Sequence, residues 1–249
     1  MSSADAKAFW KQQTSSLHRS DGDAFYARKA AEHASLLTAQ ERAAGAVDLG
    51  CGAGELLYFL SDEIDVRQGI DYSASMLEQA GSRLDGKGIQ LQEADFRVFL
   101  PGCSQAVWLT TGALNQYLDA SDTGSLLELF QANQHARSFF LFDCIDPIKF
   151  LLMPYGIRYQ IPLGASAERG LNDRFRSAYH AFRRVGIGAQ LAGGFLSRDF
   201  ATLRGKGMGY GQLPRFWLMA AKRLDLSAEI VSSRYYEYRY HVLLRKRSA

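Results

Sequence analysis

Residues 46–60 read AVDLGCGAGELLYFL, which places three glycines between two apolar runs. Acidic residues flank this turn, because Asp48 stands two positions before Gly50 and Glu55 directly follows Gly54. A glycine-rich turn between a buried strand and a helix lies at the carboxyl edge of a parallel sheet, where open α/β folds bind their ligands. The stretch therefore predicts both the fold class and the place of the binding site.

The sequence on either side of this turn alternates between short apolar runs and helical periodicity. Strands are predicted at GAVDLG, VRQGID, IQLQEAD, QAVWLTT and SFFLFDC, and helices at residues 24–37, 54–63, 73–84 and 121–136. Ser73 is the predicted N-cap of the third helix. Because these strands are too apolar to be half solvated, the pattern favours a parallel sheet covered by helices on both faces.

Two further elements close the chain. LPRFWLMAAKRLDL has the pattern of an amphipathic helix, and SAEIVSSRYYEYRYHVLLRK contains two β-rich runs whose close spacing predicts an antiparallel hairpin. Between residues 144 and 211 the strand–helix alternation stops. We therefore expect one domain over residues 1–249, with its core at residues 20–143 and 212–247 and a substrate-capping insertion at residues 144–211.

The composition bounds the class of protein. The chain has 249 residues, of which 47% are hydrophobic and 22% charged, as in an ordinary globular domain with a sizeable core. No run of eighteen apolar residues predicts a membrane span, and MSSADAKAFWKQQ lacks the apolar core of a secretory signal. Three cysteines without a CxxC pair argue against a disulfide framework or a structural zinc site. We therefore expect a cytoplasmic protein without a bound metal.

The charge is unevenly distributed along the chain. Residues 144–215 contain eleven Lys or Arg and four Asp or Glu, whereas the remainder contains eighteen basic and twenty-two acidic residues. A basic segment on an acidic body indicates an anionic partner for that segment, and a solvated basic surface is the alternative.

The acidic residues around the glycine turn favour a cationic ligand. A dinucleotide would bring a pyrophosphate to this turn, and each close, uncompensated carboxylate would repel it by roughly 1–4 kcal/mol. S-adenosylmethionine carries a sulfonium and an ammonium group instead, which carboxylates attract. The spacing agrees, because the glycines at 50, 52 and 54 form G-x-G-x-G, one residue short of the dinucleotide fingerprint.

The turn resembles the first motif of the class I S-adenosylmethionine-dependent methyltransferases. VDLGCGAGELLYFL carries the resemblance, QGIDYSASMLEQA and EADFRVF stand where the family has its next signals, and WLTTGALNQYL matches the fourth motif in position. The final hairpin resembles the family's sixth and seventh strands. The resemblance implies an α/β, Rossmann-like fold with a seven-stranded, mostly parallel sheet and an antiparallel terminal hairpin. It also implies S-adenosyl-L-methionine as the cofactor.

The same resemblance assigns cofactor-binding roles. Asp71 is expected to bond both ribose hydroxyls. Tyr72 and Met76 are expected against the ribose and adenine, and Asp95 and Phe96 beside the adenine. Helix capping is the alternative role for the two aspartates. The complete set of expected cofactor-binding residues is Tyr26, Asp48, Gly50, Cys51, Gly52, Gly54, Asp71, Tyr72, Met76, Asp95, Phe96 and Thr111.

Two members of this set also allow a packing interpretation. Tyr26 either closes over the cofactor, as N-terminal helices do in the family, or only packs against the domain. Cys51 is expected to fill space inside the turn rather than to act as a nucleophile.

The fourth strand bears on the methyl acceptor. It does not end in the N/D-P-P-Y/F pattern that the family uses for planar exocyclic amines; Thr110, Thr111, Asn115 and Gln116 stand there instead. This counts against methylation of a nucleobase or of glutamine. Asn115 is therefore a candidate catalytic residue for another acceptor.

The basic segment supplies the other acceptor-side candidates. Arginines interleaved with aromatic residues suit a carboxylate, phosphate or sugar acid. His180 is the candidate general base, with a structural role as the alternative, and His241 is expected to be a core or hydrogen-bonded histidine. The turn of the final hairpin should return to the same edge. The expected substrate-binding residues are Tyr155, Arg158, Arg174, Arg176, Tyr179 and Tyr236.

The sequence thus predicts methyl transfer from S-adenosylmethionine to a small or medium polar acceptor. An anionic acceptor methylated on oxygen, such as a saccharide or sugar acid, is favoured. The alternatives are an RNA or tRNA methyltransferase, a non-catalytic module that binds the cofactor, and an NAD-dependent oxidoreductase. A whole-chain charge of +3 counts against a nucleic-acid partner, and the sequence carries no signal for an oligomeric state.

Overall fold

The structure is a computed structural model that describes residues 22–111, 114–152, 211–236 and 238–247. The strands are β1 (Ala46–Leu49), β2 (Val66–Asp71), β3 (Gln90–Glu93), β4 (Val107–Thr110), β5 (Ser138–Ile145), β6 (Leu226–Ser232) and β7 (Arg239–Lys246). The helices are α1 (Asp23–Ser35), α2 (Ala39–Arg42), α3 (Glu55–Leu60), α4 (Ala74–Arg83), α5 (Phe96–Phe99), α6 (Leu114–Tyr117), α7 (Ala120–Ala132), α8 (Pro147–Leu152) and α9 (Pro214–Arg223).

The seven strands of the described residues form one sheet in the order β3-β2-β1-β4-β5-β7-β6. The first five run parallel, and β7 pairs antiparallel with both β5 and β6. The mostly parallel sheet and its terminal antiparallel hairpin are confirmed. Since β1 lies between β2 and β4, the strand order reverses direction there, which places the glycine turn at a topological switch point.

Two apolar layers cover the sheet. One contains Trp108, Phe130 and Trp217, with β4, α7 and α9 contributing to it. The other packs the inner face of α1 and α3 on the opposite side of the same strands. All residues of β1 and β5 are buried, as the apolar runs predict for parallel strands covered on both faces.

Helix ends and short helices differ from the sequence prediction. α1 ends at Ser35 and α7 at Ala132, earlier than the periodicity indicated. Ser73 occupies the N-cap position of α4, but its hydroxyl makes no capping hydrogen bond and instead lies 3.1 Å from the Ser75 hydroxyl. α2, α6 and α8 are too short to show periodicity; α2 forms because Thr38 and Glu41 build a capping box.

Near its carboxyl end β5 carries a bulge. The pairing with β7 shifts register between Leu141 and Cys144, and Asp143 adopts a φ of 55°. Such a left-handed backbone is strained for a residue with a side chain. Within the described residues, no helix has both the length and the apolar character needed to cross a membrane.

Candidate active site

The glycine turn joins the end of β1 to the start of α3. Its glycines adopt φ values of 73° at Gly50, 56° at Gly52 and 76° at Gly54, which L side chains rarely adopt. A Cβ atom at Gly50 would lie 3.0 Å from the Leu114 side chain, and one at Gly54 would lie 3.2 Å from the Leu84 side chain. A Cβ at Gly52 would meet nothing within 4 Å. Gly52 therefore faces the open space in which a ligand can approach the backbone.

Asp71 joins the glycine turn to the end of β2. One of its carboxylate oxygens accepts a hydrogen bond from the Gly52 N–H at 3.0 Å, and the other accepts from the Ser73 N–H at 2.9 Å. The N–H groups of Gly50 and Cys51 donate to the Ile70 carbonyl, which ties the turn to the same strand. Burial raises the pKa of Asp71. The capping alternative describes part of this role, since Asp71 also binds the backbone at the start of α4.

Asp48 lies beneath the turn rather than at its rim. The side chain is fully buried, and its carboxylate accepts hydrogen bonds from the Thr111 N–H at 2.8 Å and from the Thr111 hydroxyl. Burial raises the pKa of Asp48 to about 7, with a further contribution from the charge of Asp71. The sequence placed this carboxylate beside the ligand; the structure buries it together with the rest of β1, and contact of Asp48 with a cofactor stays a prediction.

Cys51 is buried within the turn. Its thiol would lie 3.1 Å from a Cβ at Gly69, and it belongs to the apolar layer that includes Leu57. Burial raises the pKa of the thiol well above its ordinary value, so the group stays protonated at neutral pH. These properties suit a space-filling residue, as the sequence indicated.

Further expected cofactor residues follow the ends of β2 and β3. Tyr72 is half-buried, and its pKa is raised by burial first and then by Asp71, Tyr117 and Asp95, which places these groups near one another. Asp95 accepts a hydrogen bond from the Arg97 N–H at 3.0 Å and forms an ion pair with its guanidinium at 3.1 Å. Sequence reasoning missed Arg97 and Tyr117, although both stand inside motifs it had selected.

Three apolar or aromatic candidates are largely enclosed. Met76 is 2% exposed and Phe96 is 7% exposed, with the Arg97 guanidinium 4.7 Å from the centre of the Phe96 ring. Tyr26 is half-buried and packs against the layer that contains α3. Contact of these side chains with a cofactor stays a prediction.

Asn115 lies in α6, which follows β4, and is the candidate on the acceptor side of the site. Its Nδ2 donates to the Phe142 carbonyl at 2.9 Å and lies 3.1 Å from the Cys144 sulfur. The residue is 3% exposed, and its Oδ1 has no hydrogen-bond partner. These contacts fix the amide between α6 and β5, and a catalytic role for Asn115 stays a prediction.

The turn between β6 and β7 returns to the edge at which β5 ends, because Ile145 pairs with Arg239. Tyr236 in this turn is 5% exposed and packs edge-on against Phe25 of α1. The Arg239 guanidinium lies 4.4 Å and the Lys29 ammonium 5.5 Å from the centre of the Tyr236 ring. Tyr236 therefore belongs to an aromatic wall backed by two cations.

Beneath this wall lies a buried charged cluster that sequence reasoning missed. Its members come from α1, β5 and β7: Lys29, Glu32, His33, Asp143, Arg239 and His241. Burial opposes the charge on Asp143, but Lys29 and Arg239 outweigh it and lower the pKa of that carboxyl. Burial also lowers the pKa of His33 well below its ordinary value. His241 is in the core, as the sequence indicated.

Part of this cluster has the composition of a metal site. Glu32, His33 and His241 can each offer a ligand atom within 4.8 Å of the others. However, the Asp143 N–H donates to His241 Nδ1 at 3.2 Å, so a neutral His241 carries its proton on Nε2, 3.3 Å from Glu32. A metal-bound histidine uses the opposite arrangement, in which the free ring nitrogen donates. The hydrogen bonds therefore favour a protein network over a metal centre.

All acceptor-side candidates from the basic segment lie outside the described residues. They are Tyr155, Arg158, Arg174, Arg176, Tyr179 and the candidate base His180. Their roles stay predictions.

The chain is similar to known methyltransferases. Residues 46–132 match the family model described as a methyltransferase domain. No curated protein has a sequence that matches the chain significantly.

Solved structures share the fold. DesVI from Streptomyces venezuelae is 16% identical with a TM-score of 0.59, and the match covers 94% of this chain and 100% of that one. CalS10, an amino pentose methyltransferase from Micromonospora echinaspora, is 17% identical with a TM-score of 0.59, over 99% and 98% of the two chains. The magnesium protoporphyrin IX methyltransferase from Synechocystis PCC 6803, with bound SAH, is 11% identical with a TM-score of 0.58, over 98% and 99%.

Proposed function

We propose that this chain, which carries a class I S-adenosylmethionine-dependent methyltransferase domain, methylates an oxygen atom of a small or medium polar, anionic acceptor of the sugar or sugar-acid type. One observation carries the cofactor side of this proposal. The turn that leaves open space at Gly52 is hydrogen-bonded to the carboxylate of Asp71 at the neighbouring strand end.

The residues around the turn fit the cofactor. A carboxylate offers about four lone-pair sites, and Asp71 accepts backbone hydrogen bonds from Gly52, Ser73 and Tyr72. These bonds hold the carboxylate at the strand end, where it can accept a hydrogen bond from a ribose hydroxyl. Gly52 presents no side chain toward the ligand, so the backbone can approach closely.

The charges near the turn favour the same cofactor. Asp71 and Glu55 are acidic, half-buried and stand at the turn. Carboxylates attract a nearby cation and repel a diphosphate. When bound, S-adenosylmethionine supplies an electrophilic methyl group on a cationic sulfonium. The contribution of the chain is then proximity, alignment and the exclusion of water.

The basic segment supports an anionic acceptor, because residues 144–215 carry eleven basic and four acidic residues. Among proteins of similar fold, CalS10 is named an amino pentose methyltransferase and MmcR a mitomycin 7-O-methyltransferase. A hydroxyl acceptor needs a base, and His180 is our candidate for it. His180→Ala should lower turnover by roughly 100-fold or more if the imidazole removes the proton.

Calorimetry with purified protein tests the cofactor first. We expect S-adenosylmethionine and S-adenosylhomocysteine to bind and NAD not to bind. Tight NAD binding with no affinity for the two sulfur compounds would contradict the proposal and indicate an oxidoreductase.

Methyl transfer from a labelled donor to a panel of acceptors tests the proposed activity and the class of acceptor. The panel contains neutral sugars, sugar acids, sugar phosphates, amino sugars and short RNA. Labelled ether formation on an anionic sugar is the expected result. Transfer to RNA that falls steeply with salt would favour the nucleic-acid alternative, and cofactor binding without any transfer would favour the non-catalytic module.

A further inference from the structure

We propose that the ion pair between Lys29 and Asp143 positions the cofactor turn, because it fixes α1 on the sheet and α1 in turn supports α3 and the glycines. This inference rests on the cofactor half of the proposed function and goes beyond it. Lys29 and Asp143 are positioning residues in this proposal and do not touch the cofactor.

The first observation is the distortion of β5. The bulge between Leu141 and Cys144 and the left-handed φ of 55° at Asp143 place the Asp143 carboxylate against the Lys29 ammonium of α1. Left-handed backbone costs roughly 1–3 kcal/mol for a residue with a side chain. Bulges redirect single side chains and are frequent beside functional sites. The sheet is thus deformed at the position where Asp143 pairs with the cation of α1.

The second observation is the polar inner face of α1. Lys29, Glu32 and His33 lie on one face at helical spacing and are 7%, 3% and 0% exposed. Glu32 accepts a hydrogen bond from the Arg234 N–H at 2.6 Å and lies 3.3 Å from the His241 ring. Buried ion pairs add little stability over apolar residues of equal size, but their geometry is specific. The face therefore sets where α1 sits along the sheet.

The third observation is what the adjacent face of α1 contacts. Ala30 and Ala34, each 1% exposed, belong to the same apolar layer as Cys51 and Leu57. Their small side chains allow α1 to approach α3 closely, so a shift of α1 would displace α3 and the turn that contains Cys51. The charged cluster on the acceptor side is therefore connected to the cofactor turn through one helix.

The test uses the full chain and three variants. Lys29→Met removes the cation, Asp143→Asn removes the carboxylate, and the double variant removes both charges and leaves Arg239 without Asp143. Asp143→Asn alone deprives both Lys29 and Arg239 of their counter-charge and can fail to fold, whereas Lys29→Met keeps Asp143 paired with Arg239, so the test stays valid. Arg245→Met is the matched control, because it breaks the ion pair between Arg245 and Glu41 at 2.7 Å, at the opposite edge of the sheet.

Two readouts separate positioning from stability. S-adenosylhomocysteine affinity is measured by calorimetry under conditions in which each variant is fully folded, and hydrogen exchange is followed without ligand in residues 46–60. We expect Lys29→Met and the double variant to weaken affinity about tenfold, within the usual range of coupling between linked sites. Exchange in residues 46–60 should also rise. Arg245→Met should lower stability and leave both readouts unchanged.

The two proposals fail in different ways. If the wild-type chain does not bind S-adenosylhomocysteine, the proposed function falls, and hydrogen exchange alone decides whether the ion pair positions the turn. If the wild type binds and Lys29→Met binds equally well, with unchanged exchange in residues 46–60, the positioning inference is overturned and the proposed function stands. If Arg245→Met weakened S-adenosylhomocysteine affinity as much as Lys29→Met does, the positioning inference would also be overturned.

Discussion

Asp48 and Thr111 lie 63 residues apart in sequence and are joined by two hydrogen bonds beneath the glycine turn. The carboxylate binds the backbone N–H and the hydroxyl of one residue, so the end of β1 and the end of β4 form one unit. Gly50 strengthens this unit, because its missing side chain allows Leu114 of α6 to lie against the turn. The loops that follow two neighbouring strands are thereby fixed relative to each other before any ligand binds.

The buried carboxylate predicts an unusual pH dependence. Burial raises the pKa of Asp48 to about 7, whereas the unfolded chain has the ordinary value near 3.8. The folded state therefore binds the proton more tightly, and stability from this group falls as the pH rises from about 4 to about 7. In Asp48→Asn the amide can still accept from the Thr111 N–H and donate to its hydroxyl. We expect this variant to be more stable than the wild type at pH 8, by at most about 4 kcal/mol, and similar to it at pH 4.

Urea unfolding of both proteins at pH 4, 6 and 8 measures this difference. Asp85→Asn is the control, since Asp85 is exposed. A difference in the free energy of unfolding between Asp48→Asn and the wild type that does not grow with pH would contradict the raised pKa of Asp48.

Gly52 and Gly86 allow a matched test of the ligand site. Both have left-handed φ values, 56° and 76°, and a Cβ atom at either would meet nothing within 4 Å. Substitution by alanine should therefore cost both proteins about 1–2 kcal/mol of stability from backbone strain. Only Gly52→Ala should weaken S-adenosylhomocysteine affinity, because its methyl group enters the space assigned to the ligand. Equal affinity of the two variants in calorimetry would remove Gly52 from the site.

Asp71 has two roles that a pair of substitutions can distinguish. Asp71→Ala removes the contacts to Gly52 and Ser73 together with the proposed ribose contact, and should weaken cofactor affinity by about 1.5–3 kcal/mol. Ser73→Ala leaves the backbone N–H in place and should bind as the wild type does. Unchanged affinity in Asp71→Ala would restrict Asp71 to capping α4.

The fold was predictable from the sequence because its signals are local. Patterns of a few residues predict the turn at residues 46–60, the strand β5 and the final hairpin. The observed sheet confirms all three. Helix ends were less predictable, since α7 ends at Ala132 and the amide of the next residue, Asn133, donates to carbonyls distant in sequence. Chain-local patterns do not contain such contacts.

The site was predictable only in part, for the same reason. The position of Asp71 beside the glycine turn was predictable because it ends a recognisable strand, but the depth of Asp48 depends on the strands on both sides of β1. The partners Lys29 and Asp143 lie in separate elements far apart in sequence, and the bulge that brings them together has no periodic signal. A buried ion pair of this kind emerges only from the tertiary structure.

Because His33 is buried on α1, we expect the free energy of unfolding of the chain to fall in acid. Its ring stacks on Phe142 with centroids 3.9 Å apart, neither ring nitrogen has a hydrogen-bond partner, and burial lowers its pKa well below 6.5. The unfolded chain therefore gains a proton below pH 6.5 that the folded chain does not, and stability falls as the pH drops through this range. His33→Phe keeps the stacking and removes the titration, so it should gain up to about 2 kcal/mol over the wild type between pH 7.5 and pH 5. Urea unfolding at the two pH values measures the gain, with the exposed His135→Gln as control; a gain that is the same at both values would show that His33 does not resist protonation.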